Sequence, residues 1–148
     1  MADFSTQQVK IFKKLFAHSP VATGFGIPEK FLLQFVFFEA VVRLIGHHYR
    51  ERNGQKKKST SHEPLKIDVV RRSFAYFGIS VADQRIDLLL DSRLTTRNAK
   101  SARNLRNGLA HQWMAEDVRE VKDRYEALNN ALAEVIDAVK KRVGSAAK

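Results

Sequence analysis

Residues 103–113, RNLRNGLAHQW, place an arginine and a histidine at a spacing that could act on one phosphate. Arginine stays charged and can hold phosphate oxygens in a bidentate fork, whereas histidine, with an ordinary pKa of about 6.5, can donate or accept a proton near neutral pH. On RNA, such a pair could promote attack of the 2′-hydroxyl on the neighbouring phosphate, with a cation stabilising the phosphorane. The candidate pair is Arg106 and His111, and this chemistry needs no metal or cofactor.

Helical geometry limits how these residues can cooperate. Arg106 and His111 are five positions apart, which turns them about 140° from each other on a helix, so they do not share a face unaided. Arg103, Asn107 and His111 instead form a polar stripe at i, i+4 and i+8. Arg103 is expected to be an auxiliary phosphate contact or plain surface charge. Asn107 either orients the histidine or the phosphate, or makes a local backbone hydrogen bond.

The spacing alone is a weak signal, because a chain of this composition contains about 0.4 such pairs by chance. Arg43 and His48, in RLIGHH, fit it as well. Context favours Arg106, which is followed by the polar Asn107 on the penultimate predicted helix. Gly108 and Ala110 leave room there for another backbone or a substrate to approach.

A helical period dominates the chain, and its most apolar stretch is FLLQFVFFEAVVRLI at residues 31–45. Pro28 suits the first turn of this helix, which is predicted to run to about Arg52. The apolar stretch is shorter than the roughly 20 residues of a bilayer span, and it contains Glu39 and Arg43. It is therefore predicted to be the buried central helix of a bundle, with no membrane association.

The remaining segments also predict helices, and no stretch alternates with period two. An opening helix is predicted around Phe12, and a third helix from near Pro64 to Gly78. A short helix, DQRIDLLL, follows a Ser80–Asp83 capping box. The motif helix comes next, and then a long last helix whose apolar seam runs from Val118 to Val139. The expected architecture is an all-α bundle of about five helices, forming a single domain over residues 1–148.

Polar residues follow one line of the central helix: Glu39, Arg43 and His47 are spaced at i, i+4 and i+8. In one interpretation Glu39 and Arg43 form a helical ion pair facing solvent or the bundle edge. In the other, the stripe faces the motif helix, and Glu39 orients Arg106 or tunes His111. The second interpretation makes Glu39 a supporting residue of the candidate site.

Charge and residue usage narrow the partners. The chain has 26 Lys and Arg against 16 Asp and Glu, a net charge of +10, which favours polyanions, with nucleic acid ahead of a membrane surface. Arg43 and the cluster Lys56, Lys57 and Lys58 are candidate RNA contacts, although such a cluster is equally typical of a solvated loop. The absence of cysteine excludes disulfides and thiolate sites, and the N-terminus lacks a secretory signal, so a cytoplasmic location is expected.

The adjacent histidines His47 and His48 point about 100° apart on a helix and make a poor metal pair. We expect them to be solvated at the helix end. No metal site is predicted.

The stretch LRNGLAHQW in an all-α chain of this size resembles the HEPN (higher eukaryote and prokaryote nucleotide-binding) family. Its ribonuclease members carry an arginine, usually followed by a polar residue, and a histidine after four to six positions. The motif matches Arg106, Asn107 and His111. The resemblance implies a HEPN-like helical bundle, a homodimer with the site at or near its interface, and metal-independent RNA cleavage. It also implies a toxin–antitoxin or phage-defence role, with an antitoxin or a nucleotidyltransferase as partner.

Three hypotheses stay open at this point. The first is a HEPN-type endoribonuclease that cleaves RNA by 2′-hydroxyl transesterification. The alternative is a non-catalytic helical module that binds RNA or a partner protein. A weaker third is a DNA-binding helical protein, and the net charge does not distinguish among them.

Overall fold

The computed structural model describes residues 2–21, 23–54 and 65–146, and every regular element in these ranges is a helix. This confirms the predicted all-α bundle. The six helices of the described ranges are α1 (Thr6–Ala17), α2 (Ile27–Arg52), α3 (Ile67–Phe77), α4 (Asp83–Leu90), α5 (Ala102–His111) and α6 (Ala115–Ala146).

Helix α2 is the centre of the bundle and contacts α1, α3, α5 and α6. It begins behind Gly26, with Pro28 in its first turn, and it ends at Arg52 as predicted. Phe31, Phe35 and other apolar side chains along it are fully buried. By length and composition α2 is a helix that could cross a membrane, but 61% of its most apolar window is buried inside the protein. Such burial is typical of a core helix.

Helix α1 starts at a capping box, in which the Ser5 hydroxyl accepts from the Gln8 N–H at 3.1 Å and the Gln8 side chain accepts from the Ser5 N–H at 2.9 Å. Phe12 is fully buried and meets the His48 ring edge-on at 5.4 Å between centroids. His48 is therefore a core residue, exposed by only 1%. The expectation that it is solvated at the helix end is wrong, because α1 covers that face of α2.

Helices α3 and α4 follow the predicted order, but one predicted cap is wrong. Gly78 ends α3 in the left-handed conformation, with φ of 68°. Helix α4 begins at Asp83 behind Ala82, without a side-chain cap. Ser80 is exposed and lies two residues before that N-cap, too early to cap the helix.

Helix α6 buries the predicted apolar seam at Val121, Leu128, Leu132, Val135 and Val139. Its polar side also positions the motif helix through Glu120, which is buried. One Glu120 oxygen accepts from the Asn98 N–H at 2.7 Å and the other from the Lys100 N–H at 3.1 Å. The loop before α5 is thus bound to α6 just ahead of Ser101, whose hydroxyl accepts from the Asn104 N–H at 3.2 Å and caps α5.

The contact between α1 and α2 predicts a large and specific effect of Phe12→Ala. Removing this fully buried ring leaves a cavity beside His48, and we expect the free energy of unfolding to fall by about 3–5 kcal/mol. Phe25→Ala is the matched control, since Phe25 is 51% exposed, and its effect should stay below about 0.5 kcal/mol. Urea denaturation followed by circular dichroism measures both, and equal losses would contradict the described packing of α1.

Candidate functional site

Helix α5 presents the motif in a fixed orientation because its apolar side is in the core. Ala102, Leu105 and Leu109 are buried, and α5 contacts α2, α4 and α6. Arg106 consequently lies on the flank that meets α2. His111 is the last residue of α5, and its side chain is exposed.

The centre of the candidate site is Glu39 of α2, a carboxylate that is only 5% exposed. Arg106 Nε lies 3.3 Å from Glu39 Oε1, and Arg43 Nη2 lies 3.1 Å from Glu39 Oε2. One buried carboxylate therefore joins two guanidinium groups, one from its own helix and one from the motif helix. Burial of a carboxylate is costly unless cations compensate it. Glu39 thus faces α5, as in the second interpretation, and it also forms the helical ion pair with Arg43 of the first.

The hydrogen bonds of this cluster are incomplete. Three buried atoms make no hydrogen bond within the described residues: Glu39 Oε1, Arg43 Nε and Arg106 Nε. Arg106 Nε is close enough to Glu39 Oε1 for an ion pair, but the N–H does not point at the oxygen as a hydrogen bond requires. Arg106 Nη1 donates to Asn107 Oδ1 at 3.1 Å, which orients the guanidinium. Both arginine side chains stay about one-third exposed, at 34% and 29%. Two cations and one anion leave a net positive charge facing solvent.

His111 and Arg106 do not converge within one chain. Five residues of helix separate them by about 140° and about 7.5 Å along the axis. Arg106 lines a pocket with Glu39 and Arg43, and His111 is not part of that lining. Asn107, one turn before His111, lies on the same outward face of α5 as the histidine.

Gly108 allows a close approach, as predicted, but the approaching group is a side chain and not a backbone or a substrate. A Cβ atom at Gly108 would lie 1.9 Å from Asp117 Oδ2, so the glycine admits a carboxylate of α6 rather than a substrate. Asp117 is buried and accepts from Lys100 Nζ at 2.7 Å. That hydrogen bond raises the pKa of Lys100 above its ordinary value. Asp117 thus joins the start of α6 both to Gly108 of α5 and to Lys100 in the loop before it.

The other predicted contacts have different surroundings. Arg103 Nη1 donates to the Leu65 carbonyl at 2.7 Å, so part of its guanidinium is engaged within the protein. Lys56, Lys57 and Lys58 lie outside the described residues. Burial of His48 keeps this histidine from contacting a substrate, so Arg43 and His48 do not act as a competing pair. The described part of the chain contains no group of three or more metal-ligating side chains.

Two features of this region are visible only in the structure. Trp113 adopts the left-handed conformation with φ of 49° and is 47% exposed, two residues after His111. Left-handed backbone is uncommon for a bulky side chain, and an exposed indole is suited to stacking on a base. The second is the pocket itself, to which α1 contributes Ile11 and Leu15. Only their tertiary position relates them to Arg106.

No protein-family model matches this chain, and comparisons with curated proteins and with solved structures give no match.

The different surroundings of Gly108 and Gly144 predict opposite effects of glycine-to-alanine changes on the free energy of unfolding. Gly108→Ala should destabilise the protein by about 1–3 kcal/mol, because the methyl group must displace the buried Asp117 carboxylate. Gly144→Ala, on α6 with nothing within 4 Å of the added atom, should stabilise it by up to about 1 kcal/mol through helix propensity. Thermal unfolding measures both, and a neutral Gly108→Ala would show that Asp117 does not constrain α5.

Proposed function

We propose that this protein is a metal-independent endoribonuclease of the HEPN type. The observation that carries the proposal is the pairing of Arg106, on the motif helix, with the buried Glu39 at the end of an open pocket. The pairing holds a partly exposed guanidinium in place on the same helix as an exposed histidine. Transesterification of RNA requires a fixed cation and an accessible acid–base group that reach the same phosphate, and α5 carries one of each.

In the proposed reaction Arg106 binds the non-bridging oxygens of the scissile phosphate. The RNA 2′-oxygen forms a bond to phosphorus as a base removes its proton, and the bond from phosphorus to the 5′-oxygen breaks as an acid protonates that oxygen. His111 supplies the base or the acid. The products are a 2′,3′-cyclic phosphate and a 5′-hydroxyl, so DNA is not a substrate.

A homodimer forms part of the proposal because Arg106 and His111 occupy different flanks of α5. A second copy related by twofold symmetry could bring its own His111 towards the Arg106 of the first. Two histidines would then share the acid and base roles. The proposed setting is cytoplasmic, in toxin–antitoxin or phage defence, with an antitoxin or a nucleotidyltransferase as partner.

A second candidate is a non-catalytic HEPN module that binds RNA or a partner protein. Exposed apolar side chains on adjoining helices favour it: Ile11 on α1, and Leu33 and Val36 on α2. Clusters of exposed apolar side chains are typical of interaction surfaces. RNA cleavage separates the two candidates.

The endoribonuclease hypothesis predicts loss of cleavage in His111→Ala. Incubated in EDTA with a labelled mixed-sequence RNA, the parent protein should yield 2′,3′-cyclic phosphate ends, and the variant should be slower by about 10²–10⁴-fold, the usual contribution of a general acid or base. Salt-dependent RNA binding should persist in the variant. His18→Ala, which changes another exposed histidine at the end of α1, should cleave like the parent. Absence of cleavage by the parent, with binding retained, would favour the non-catalytic module.

Glu39 is proposed as a positioning residue, and Glu39→Gln separates its effects on kcat and on KM. Loss of the carboxylate charge adds net positive charge at the phosphate site, so KM for RNA should fall. The guanidinium of Arg106 loses its fixed partner, so kcat should fall as well. The matched control is Glu126→Gln, an exposed position on α6. A fall in kcat in proportion to the folded fraction, with unchanged KM, would indicate a purely structural role.

A further inference from the structure

A pocket of about 400 Å³ opens beside Arg106, between α1, α2 and α5. Its walls are apolar and come from two helices: Ile11 and Leu15 of α1, and Val36, Ala40 and Leu44 of α2. Its polar end is the cluster of Glu39, Arg43 and Arg106. The phosphate site of the proposed function thus adjoins an apolar pocket of ligand size.

The walls of this pocket are costly to leave in water. Val36 is 52% exposed and Ile11 is 36% exposed, although both belong to well-packed helices. A flat apolar surface would cover them, and a phosphate alone would not. The ligand that fits therefore has an apolar face next to an anionic group, and a nucleotide has both.

The polar end adds a preference among the four bases. Arg43 is held by Glu39 Oε2 through Nη2, and its Nε is buried, so the hydrogens that it presents to a ligand are those of Nη1 and the second hydrogen of Nη2. A guanidinium makes two parallel hydrogen bonds to the O6 and N7 acceptors of guanine. Adenine places a donor amino group where guanine has O6, so one of the two bonds is lost. The pair of O6 and N7 acceptors occurs in guanine alone, since the pyrimidines have no N7.

We propose that this pocket binds an unpaired guanine base, and that its nucleotide places its 3′-phosphate on Arg106. The proposal rests on the proposed function for the identity of the phosphate site. Ile11, Val36 and Ala40 contact the faces of the base, and Arg43 reads its edge. A base-paired guanine cannot enter, because its faces are covered by neighbouring base pairs. Cleavage is therefore directed to the 3′ side of guanosine in single-stranded RNA.

The binding experiment uses the four nucleoside 3′-monophosphates as probes, with calorimetric titration of the intact protein. Guanosine 3′-monophosphate should bind about tenfold more tightly than the adenosine compound, the order of discrimination that one bidentate contact gives. Ala40→Leu fills the pocket from a half-buried helical position and should weaken binding of the guanosine compound at least about tenfold. Ala127→Leu makes the same change at an exposed position of α6 and should leave binding within about twofold.

Arg43→Lys separates recognition of the base from simple charge. Lysine keeps the positive charge but lacks the planar fork, so the preference for guanosine over adenosine 3′-monophosphate should fall to about twofold or less. Equal binding of all four nucleotides and of inorganic phosphate by the parent would overturn the base pocket. The base pocket would also be overturned if a folded Ala40→Leu variant bound the nucleotides as the parent does. The same holds if the parent bound no nucleotide and Ala40→Leu changed the oligomeric state.

Cleavage mapping keeps this proposal distinct from the proposed function. Cyclic phosphate ends spread evenly over all four bases would overturn the guanine pocket and leave the endoribonuclease intact. Selective binding of guanosine 3′-monophosphate that Ala40→Leu abolishes, without any cleavage of RNA, would retain the pocket and remove the endoribonuclease.

Discussion

The buried carboxylate of Glu39 is the interaction on which the candidate site depends. It is placed by the central helix, and its two oxygens face the guanidinium groups of Arg43 and Arg106. A buried anion needs compensating cations, and a cation near the surface loses conformational freedom when a fixed anion holds it. The buried Glu39 carboxylate needs a cation nearby, and this need holds Arg106 in place although its side chain stays about one-third exposed. Stability and preorganisation of the site arise from the same contact.

Much of the fold follows from periodicity along the chain. Helices α2 and α6 are long and carry regular apolar residues, so their existence and approximate ends were predictable, as was Gly78 as a terminator. The Ser80 cap failed because Ser80 and Asp83 match a local pattern, whereas the helix begins behind Ala82. A short pattern of this kind does not determine where the backbone turns into a helix.

The parts of the candidate site that follow the periodicity of a single helix, on α5 and on α2, were predictable. The motif residues and the helical line that contains Glu39 were visible in the sequence, and so was the angular separation of Arg106 from His111. The pocket was not, because the walls contributed by α1 reach Arg106 only through tertiary packing. Burial of His48 has the same origin, since Phe12 of α1 covers it. By spacing alone, His48 after Arg43 and His111 after Arg106 match the motif equally well.

The close approach of Gly108 to Asp117 has an evolutionary consequence. Only a residue without Cβ fits over that carboxylate, and the carboxylate in turn accepts a hydrogen bond from the half-buried Lys100. A change at any one of these three positions alters which residues can be accommodated at the other two. Among related chains we expect the glycine of the motif to covary with an acidic residue nine positions downstream. One residue of the motif, Gly108, is therefore required by the packing of α5 against α6 and not by the candidate chemistry.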